Sequence, residues 1–164
     1  ASGTGKSSFA RAGIVPALRA RGIDGGREAW EVAVLRPGSE PLLALATAVR
    51  PLAGDGAPSL DELCVRLEKP AGLATFVREH LGAQSALLLV VDQLEEAVTL
   101  GGEERAAALA AFDAAIARAL RDTDGPLYLL TTIRSDHVGR LEAGLPQLAA
   151  LLNPSAARQG VGSS

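Results

Sequence analysis

Cysteine is nearly absent. Cys64 stands alone in 164 residues, so no internal disulfide can form, and a reducing compartment, the cytoplasm, is expected. Aromatic residues make up only 3%, which leaves the core to Leu, Val, Ile and Ala with few large rings. Lysine occurs only at Lys6 and Lys69. Basic residues are scattered singly along a chain of net charge −3, without the stripe that nucleic acid or an anionic membrane would require, so neither partner is expected for this segment. Long apolar runs are missing too: the longest, residues 85–91, is far short of the roughly 20 that span a bilayer. No charged stretch followed by an apolar one opens the sequence.

What is present is a chain 48% apolar and 21% charged, enough for one domain over residues 1–152, with residues 153–164 reading as a loop or a cut end. Residues 6–20 carry Phe9, Ile14, Val15 and Leu18 on a helical period, with Pro16 expected to kink or end the helix. Beyond a Gly-rich turn at 22–26, residues 30–35 read as a strand closed by Arg36-Pro37-Gly38. A short helix with Pro at its first position is expected over 41–52, a capping box at Ser59-Leu60-Asp61-Glu62 starts another that runs to about Glu68, and a third covers 70–81. Residues 86–91 are apolar throughout and stop at Asp92, the pattern of a strand buried on both faces of a parallel sheet. Leu109, Phe112, Ile116 and Leu120 make 103–121 an amphipathic helix ended by Asp124-Gly125-Pro126. A further strand follows at 127–133, then a last helix at 136–152 that contains Pro146. The alternation predicts an α/β fold with a parallel sheet.

Gly3-Thr4-Gly5-Lys6-Ser7 matches the second half of G-x-x-x-x-G-K-[ST], whose opening Gly would fall one position before Ala1. With 18 glycines and two lysines, chance supplies a Gly-Lys-Ser or Gly-Lys-Thr in roughly 0.02 chains of this composition, so coincidence is a poor account of it. In such a loop, backbone N–H groups of Ser2, Gly3, Thr4, Gly5 and Ser8 surround phosphate oxygens at a helix start. Lys6 neutralises the β and γ phosphates, and Ser7 ligates Mg²⁺. The ligand expected is a Mg²⁺-bound nucleoside triphosphate. A second acid for the cation should come from the end of a neighbouring buried strand, which points to Asp92 as a second metal-serving and catalytic residue. Gln93 follows where many such ATPases carry Glu. Glu95 and Glu96 are the nearby alternatives for activating water, with Glu95 preferred, although acids at a helix start also complement the macrodipole. Arg134, in Thr132-Ile133-Arg134-Ser135-Asp136, stands at the same sheet edge and is suited to fork onto a γ-phosphate; the competing reading is a surface Arg paired with Asp136. Lys69 reads as a solvated face residue, His137 as an exposed helix-start residue, and Cys64 and Trp30 as packing.

These segments, with Arg11-Ala12-Gly13, Pro16-Ala17-Leu18, Leu35-Arg36-Pro37-Gly38 and Asp92-Gln93-Leu94-Glu95-Glu96, resemble the novel STAND NTPase domain of bacterial signalling proteins over nearly the whole chain. The resemblance implies a three-layer P-loop NTPase sandwich with a mostly parallel sheet. It implies ATP over GTP, phosphate and Mg²⁺ at Lys6 and Ser7, the Walker B acid at Asp92, and a γ-phosphate sensor at Arg134. The partners implied are an N-terminal effector domain and C-terminal repeats of the same polypeptide, with a homo-oligomer admitted in the ATP state. Leu94 stands where the family usually has Phe, and His137 where it usually has an aromatic or apolar residue. In this fold class the strand feeding the phosphate loop precedes Ala1 and lies beside residues 127–133, so residues 1–164 alone are expected to bind ATP weakly and to aggregate. A slow ATPase switch and a non-hydrolysing nucleotide-binding module both remain open. A small-molecule kinase would call for lid arginines, and no Arg cluster occurs between Gly38 and Leu81.

Overall fold

A strand with apolar side chains on both faces can be stable only between two others and under helices on either side. β2 (Ser85–Val91) is that strand: Ala86 through Val91 are all buried. β1 (Ala29–Leu35) lies on one side and β3 (Leu127–Thr131) on the other, giving a parallel sheet in the order β1-β2-β3. The register runs from Ala29 opposite Ser85 to Leu35 opposite Val91, and from Leu87 opposite Leu127 to Val91 opposite Thr131. The three strands therefore finish at one edge. This computed structural model describes residues 10–20, 26–100, 103–122 and 125–152. The phosphate-loop residues Ser2 to Ser8, Asp124 and residues 153–164 lie outside them.

Alternation along the strands divides the core in two. Ala33, Leu35, Leu87, Leu89, Val91 and Leu127 face one way. They are covered by α2 (Pro41–Val49), α3 (Leu60–Leu67), α4 (Gly72–His80) and α6 (Ala106–Arg121). Trp30, Ala86, Leu88 and Val90 face the other way, against Val15 of α1 (Val15–Ala20). On that face the Trp30 and Tyr128 rings pack 4.9 Å apart at 52°, the packing role expected of Trp30. The result is the expected α/β arrangement of a sheet between helical layers.

Several boundaries differ from expectation, most of them because of proline. The first helix runs to Ala20 as expected, so of the two effects expected of Pro16, a kink or an end, it is not the end that occurs. A π-type turn at Ala10–Ile14 precedes Pro16, and α1 continues to Ala20, so the bond lost at a proline without N–H is absorbed by a wider turn. α2 stops at Val49 rather than at residue 52, since Pro51 cannot donate, and the chain tightens into a 3₁₀ segment, Arg50–Gly56. α4 starts at Gly72, not at Pro70. A Cβ on Gly72 would stand 2.0 Å from the Arg66 carbonyl oxygen, so only glycine permits the close turn from α3. The capping box is present in both directions: the Ser59 N–H donates to Glu62 Oε2 at 2.8 Å and the Glu62 N–H to Ser59 Oγ at 3.2 Å. Cys64 is half-buried on α3, where burial first, then the charges of Asp61, Glu68 and Glu40, push its thiol pKa up. Among the described residues no helix is long and apolar enough to cross a membrane.

The expected last helix, 136–152, is three pieces: a 3₁₀ turn at Ser135–His137, α7 (Val138–Gly144) and α8 (Pro146–Leu152). Leu145, before the proline, is driven out of helical geometry (φ −129°, ψ 62°). The start of α8 is capped from outside. Asp113, a buried acid on the inner face of α6, accepts from the Leu148 N–H at 2.8 Å and the Gln147 N–H at 3.1 Å. The amphipathic stripe reading of α6 contains Phe112 and Ile116, both fully buried, but misses this acid.

Asp113→Ala removes the acceptor for both N–H groups and is expected to destabilise the protein by about 2 kcal/mol, read as a lower urea midpoint at unchanged slope. Glu62 has its pKa held below the ordinary 4.5 by the Ser59 backbone N–H and then by the Ser59 hydroxyl. A depressed carboxyl contributes stability above its unfolded value and loses it as pH falls through the folded one. An NMR titration of Glu62 should therefore show a midpoint below 4.5, and Ser59→Ala should return only part of the shift, because the backbone donor remains.

Candidate functional site

Register decides which side chains meet at the strand ends. Val91 is opposite Thr131, so the next residues, Asp92 and Thr132, are neighbours as the chains leave the sheet. Asp92 is buried, 6% exposed, and its N–H donates to the Leu35 carbonyl at 2.8 Å, extending the ladder to β1 by one bond. The Thr132 hydroxyl donates to Asp92 Oδ1 at 2.8 Å and accepts from the Gln93 N–H at the same distance. Gln93 has φ 54°, the only non-glycine residue with positive φ among those described. Left-handed backbone costs a side-chain-bearing residue roughly 1–2 kcal/mol, and here it lies directly before the Leu94 N–H, which donates to the Thr132 carbonyl at 2.9 Å.

The two glutamates that follow are in different situations. Glu96 pairs with Arg36, the residue just past β1, and Arg36 Nη2 also donates to Gln93 Oε1 at 2.9 Å. Glu95 is 4% exposed and its Oε2 is buried with no hydrogen-bond partner. It occupies the N-cap position of the four-residue α5 (Glu96–Thr99), yet its side chain makes no cap bond. A buried carboxylate oxygen without a donor is unfavourable unless water or a ligand supplies one. The Arg36 network occupies Gln93 and Glu96, and Glu95 is the carboxylate with acceptor capacity to spare.

Arg134 lies three residues beyond β3 at the same edge. Its side chain is 70% exposed, with Nε 3.4 Å from Asp136 Oδ1, and no bond joins it to Asp92. His137, expected to be exposed, is mostly covered: its side chain is 21% exposed, Nε2 is 3.8 Å from Asp136 Oδ2, and Nδ1 is buried without a partner. Lys69 is exposed as expected. The structure thus links Asp92, Gln93 and Glu96 through Thr132 and Arg36, places Glu95 beside them in the chain, and leaves Arg134 reaching into solvent. Sequence reasoning assigned no role to Thr132 or Arg36. Their signal was position, since each is the first residue beyond a parallel strand. An open cleft of about 490 Å³ between the end of β1 and α2 is lined by Arg36, Pro37, Leu43 and Thr47 and has Glu40 as its acid. Among the described residues no group of three or more His, Cys, Asp or Glu side chains gathers to cage a metal.

Compared with known proteins, the chain matches the family model described as Novel STAND NTPase 1 over residues 1–161. No curated protein and no solved structure matches it.

Proposed function

The chain belongs to the Novel STAND NTPase 1 family, and from that membership we propose that it is an ATP- and Mg²⁺-binding switch module, slow in hydrolysis, within a larger cytoplasmic signalling protein. Family membership carries the coarser statement, a nucleotide-binding P-loop NTPase module. The observation that best supports the finer one is the sheet edge, where the buried carboxylate of Asp92 is held by Thr132 at 2.8 Å beside the buried, partnerless oxygen of Glu95.

Residues 1–152 form the NTPase domain in this reading. Ser2, Gly3, Thr4, Gly5 and Ser8 surround the phosphates, Lys6 neutralises their charge, and Ser7 with Asp92 holds Mg²⁺. The donor set suits the cation: a phosphate-bound Mg²⁺ takes one or two protein oxygens and completes its shell with phosphate and water, so a single buried carboxylate and a hydroxyl suffice. When bound, Mg²⁺ supplies charge neutralisation to the phosphates. Glu95 accepts a proton from water, a role consistent with its free acceptor, and Arg134 meets the γ-phosphate by exchanging its exposed ion pair with Asp136 for one with phosphate oxygens. Loss of the γ-phosphate then frees Arg134 and the segment after it. The output passes to effector and repeat domains of the same polypeptide, and a homo-oligomer forms in the ATP state.

One observation favours a second reading, a module that holds nucleotide without hydrolysing it. Gln93, next to Asp92, is tied to Arg36 and is an amide, without the carboxylate that would take a proton from water. Steady-state phosphate release from the full-length protein separates the two: Glu95→Gln should reduce it about 10²- to 10⁴-fold with ATP affinity retained. A wild-type protein that releases no phosphate above background would establish the non-hydrolysing reading instead. Arg134→Ala should reduce the preference for ATP over ADP by about tenfold in calorimetry, since only the γ-phosphate is assigned to it. An unchanged preference would mean that Arg134 serves Asp136 alone.

A further inference from the structure

We infer that Thr132 is a positioning residue for the carboxylate of Asp92, setting the orientation in which that group receives a divalent cation. The inference rests on the reading of Asp92 as the residue that serves Mg²⁺.

The Thr132 hydroxyl lies between two groups that allow it one orientation. The Gln93 N–H can only donate, and it meets Thr132 Oγ1 at 2.8 Å. The single hydroxyl proton is then directed to Asp92 Oδ1, also at 2.8 Å, and Oδ1 must accept. Rotation of the carboxylate about its own side chain is opposed by a donor that is itself fixed. The backbone supports the same geometry: the Thr132 N–H donates to the Val91 carbonyl at 3.1 Å and the Leu94 N–H donates to the Thr132 carbonyl at 2.9 Å. Thr132 is thus bonded to every residue of the turn from Val91 to Leu94, and the positive φ of Gln93 lies between two of the donors, its own N–H and that of Leu94.

Packing gives no competing reason for threonine here. Thr132 is exposed while Asp92 is buried, so the hydroxyl is not needed to fill the core, and valine has nearly the same shape. A partner that orients a metal-binding carboxylate typically contributes 10- to 100-fold to metal affinity, and this one is exposed, which places the expectation at the lower end.

The test measures, in the full-length protein, the Mg²⁺ concentration for half-maximal ATP binding and the ATP affinity in excess chelator. Wild type, Thr132→Val, Thr132→Ser and Asp92→Asn are compared. The expected result is that Thr132→Val raises the Mg²⁺ requirement about tenfold, leaves the metal-free affinity unchanged, and is rescued by Thr132→Ser, which keeps the hydroxyl. Thr132→Val with a wild-type Mg²⁺ requirement, while Asp92→Asn raises it, would overturn the role of Thr132 and leave Asp92 standing. An unchanged requirement in both would remove the Asp92 reading and this inference with it. Equal losses in Thr132→Val and Thr132→Ser, extending to metal-free affinity and to the unfolding midpoint, would make Thr132 structural and likewise overturn the proposal.

Discussion

Two parallel hydrogen-bonded ladders in fixed register bring β1, β2 and β3 to an end at the same level, at Leu35, Val91 and Thr131. Parallel strands cannot be joined by tight turns, so their connections cross over the faces as helices and the chain re-emerges at the same edge each time. The first residues beyond the strands are therefore neighbours whatever their separation in sequence. Arg36, Asp92 and Thr132 occupy those positions, and side-chain bonds run from Arg36 to Gln93 and from Thr132 to Asp92. A slip of one residue in the β1–β2 ladder would misplace Arg36 against Gln93, and one in the β2–β3 ladder would misplace Thr132 against Asp92.

The polar residues at this edge are sorted by partner. Arg36 takes Gln93 and Glu96, which binds the end of β1 to the turn after β2. Glu95 keeps a buried oxygen without a donor, and Asp92 is oriented from β3. The segment after Arg134 is exposed at its start and anchored at its far end, where Leu141, Leu145 and Leu148 enter the main core and Asp113 caps α8.

Much of this was legible in the sequence. The unbroken apolar run of β2, short and ending at Asp92, fits a central strand, and Ser59 and Glu62 announced a helix start through hydrogen bonds that are purely local. Asp92 could be picked out because it terminates that run. What escaped was non-local. Asp113 lies on the apolar face of α6, and nothing near it in sequence indicates that Gln147 and Leu148, 34 and 35 residues on, bring their N–H groups to it. Thr132 and Arg36 acquire meaning only once the register is known. Pro16 and Pro146 were seen and Pro51 was passed over, and their effects depend on context: a π-type turn precedes Pro16, Pro51 follows the end of a helix and Pro146 starts one. Glu95 was preferred over Glu96 in the sequence, but the physical difference between them, an Arg36 partner for Glu96 and a partnerless buried oxygen for Glu95, came only with the structure.

The central claim is that this sheet edge, together with the loop containing Lys6, binds the phosphates of ATP. Calorimetric titration of the full-length protein with ATP and Mg²⁺, wild type against Lys6→Ala, tests it most directly. The account expects binding to be abolished in the variant while the unfolding midpoint of the nucleotide-free protein stays as in wild type, because Lys6 neutralises phosphate charge. ATP affinity unchanged in Lys6→Ala would contradict it.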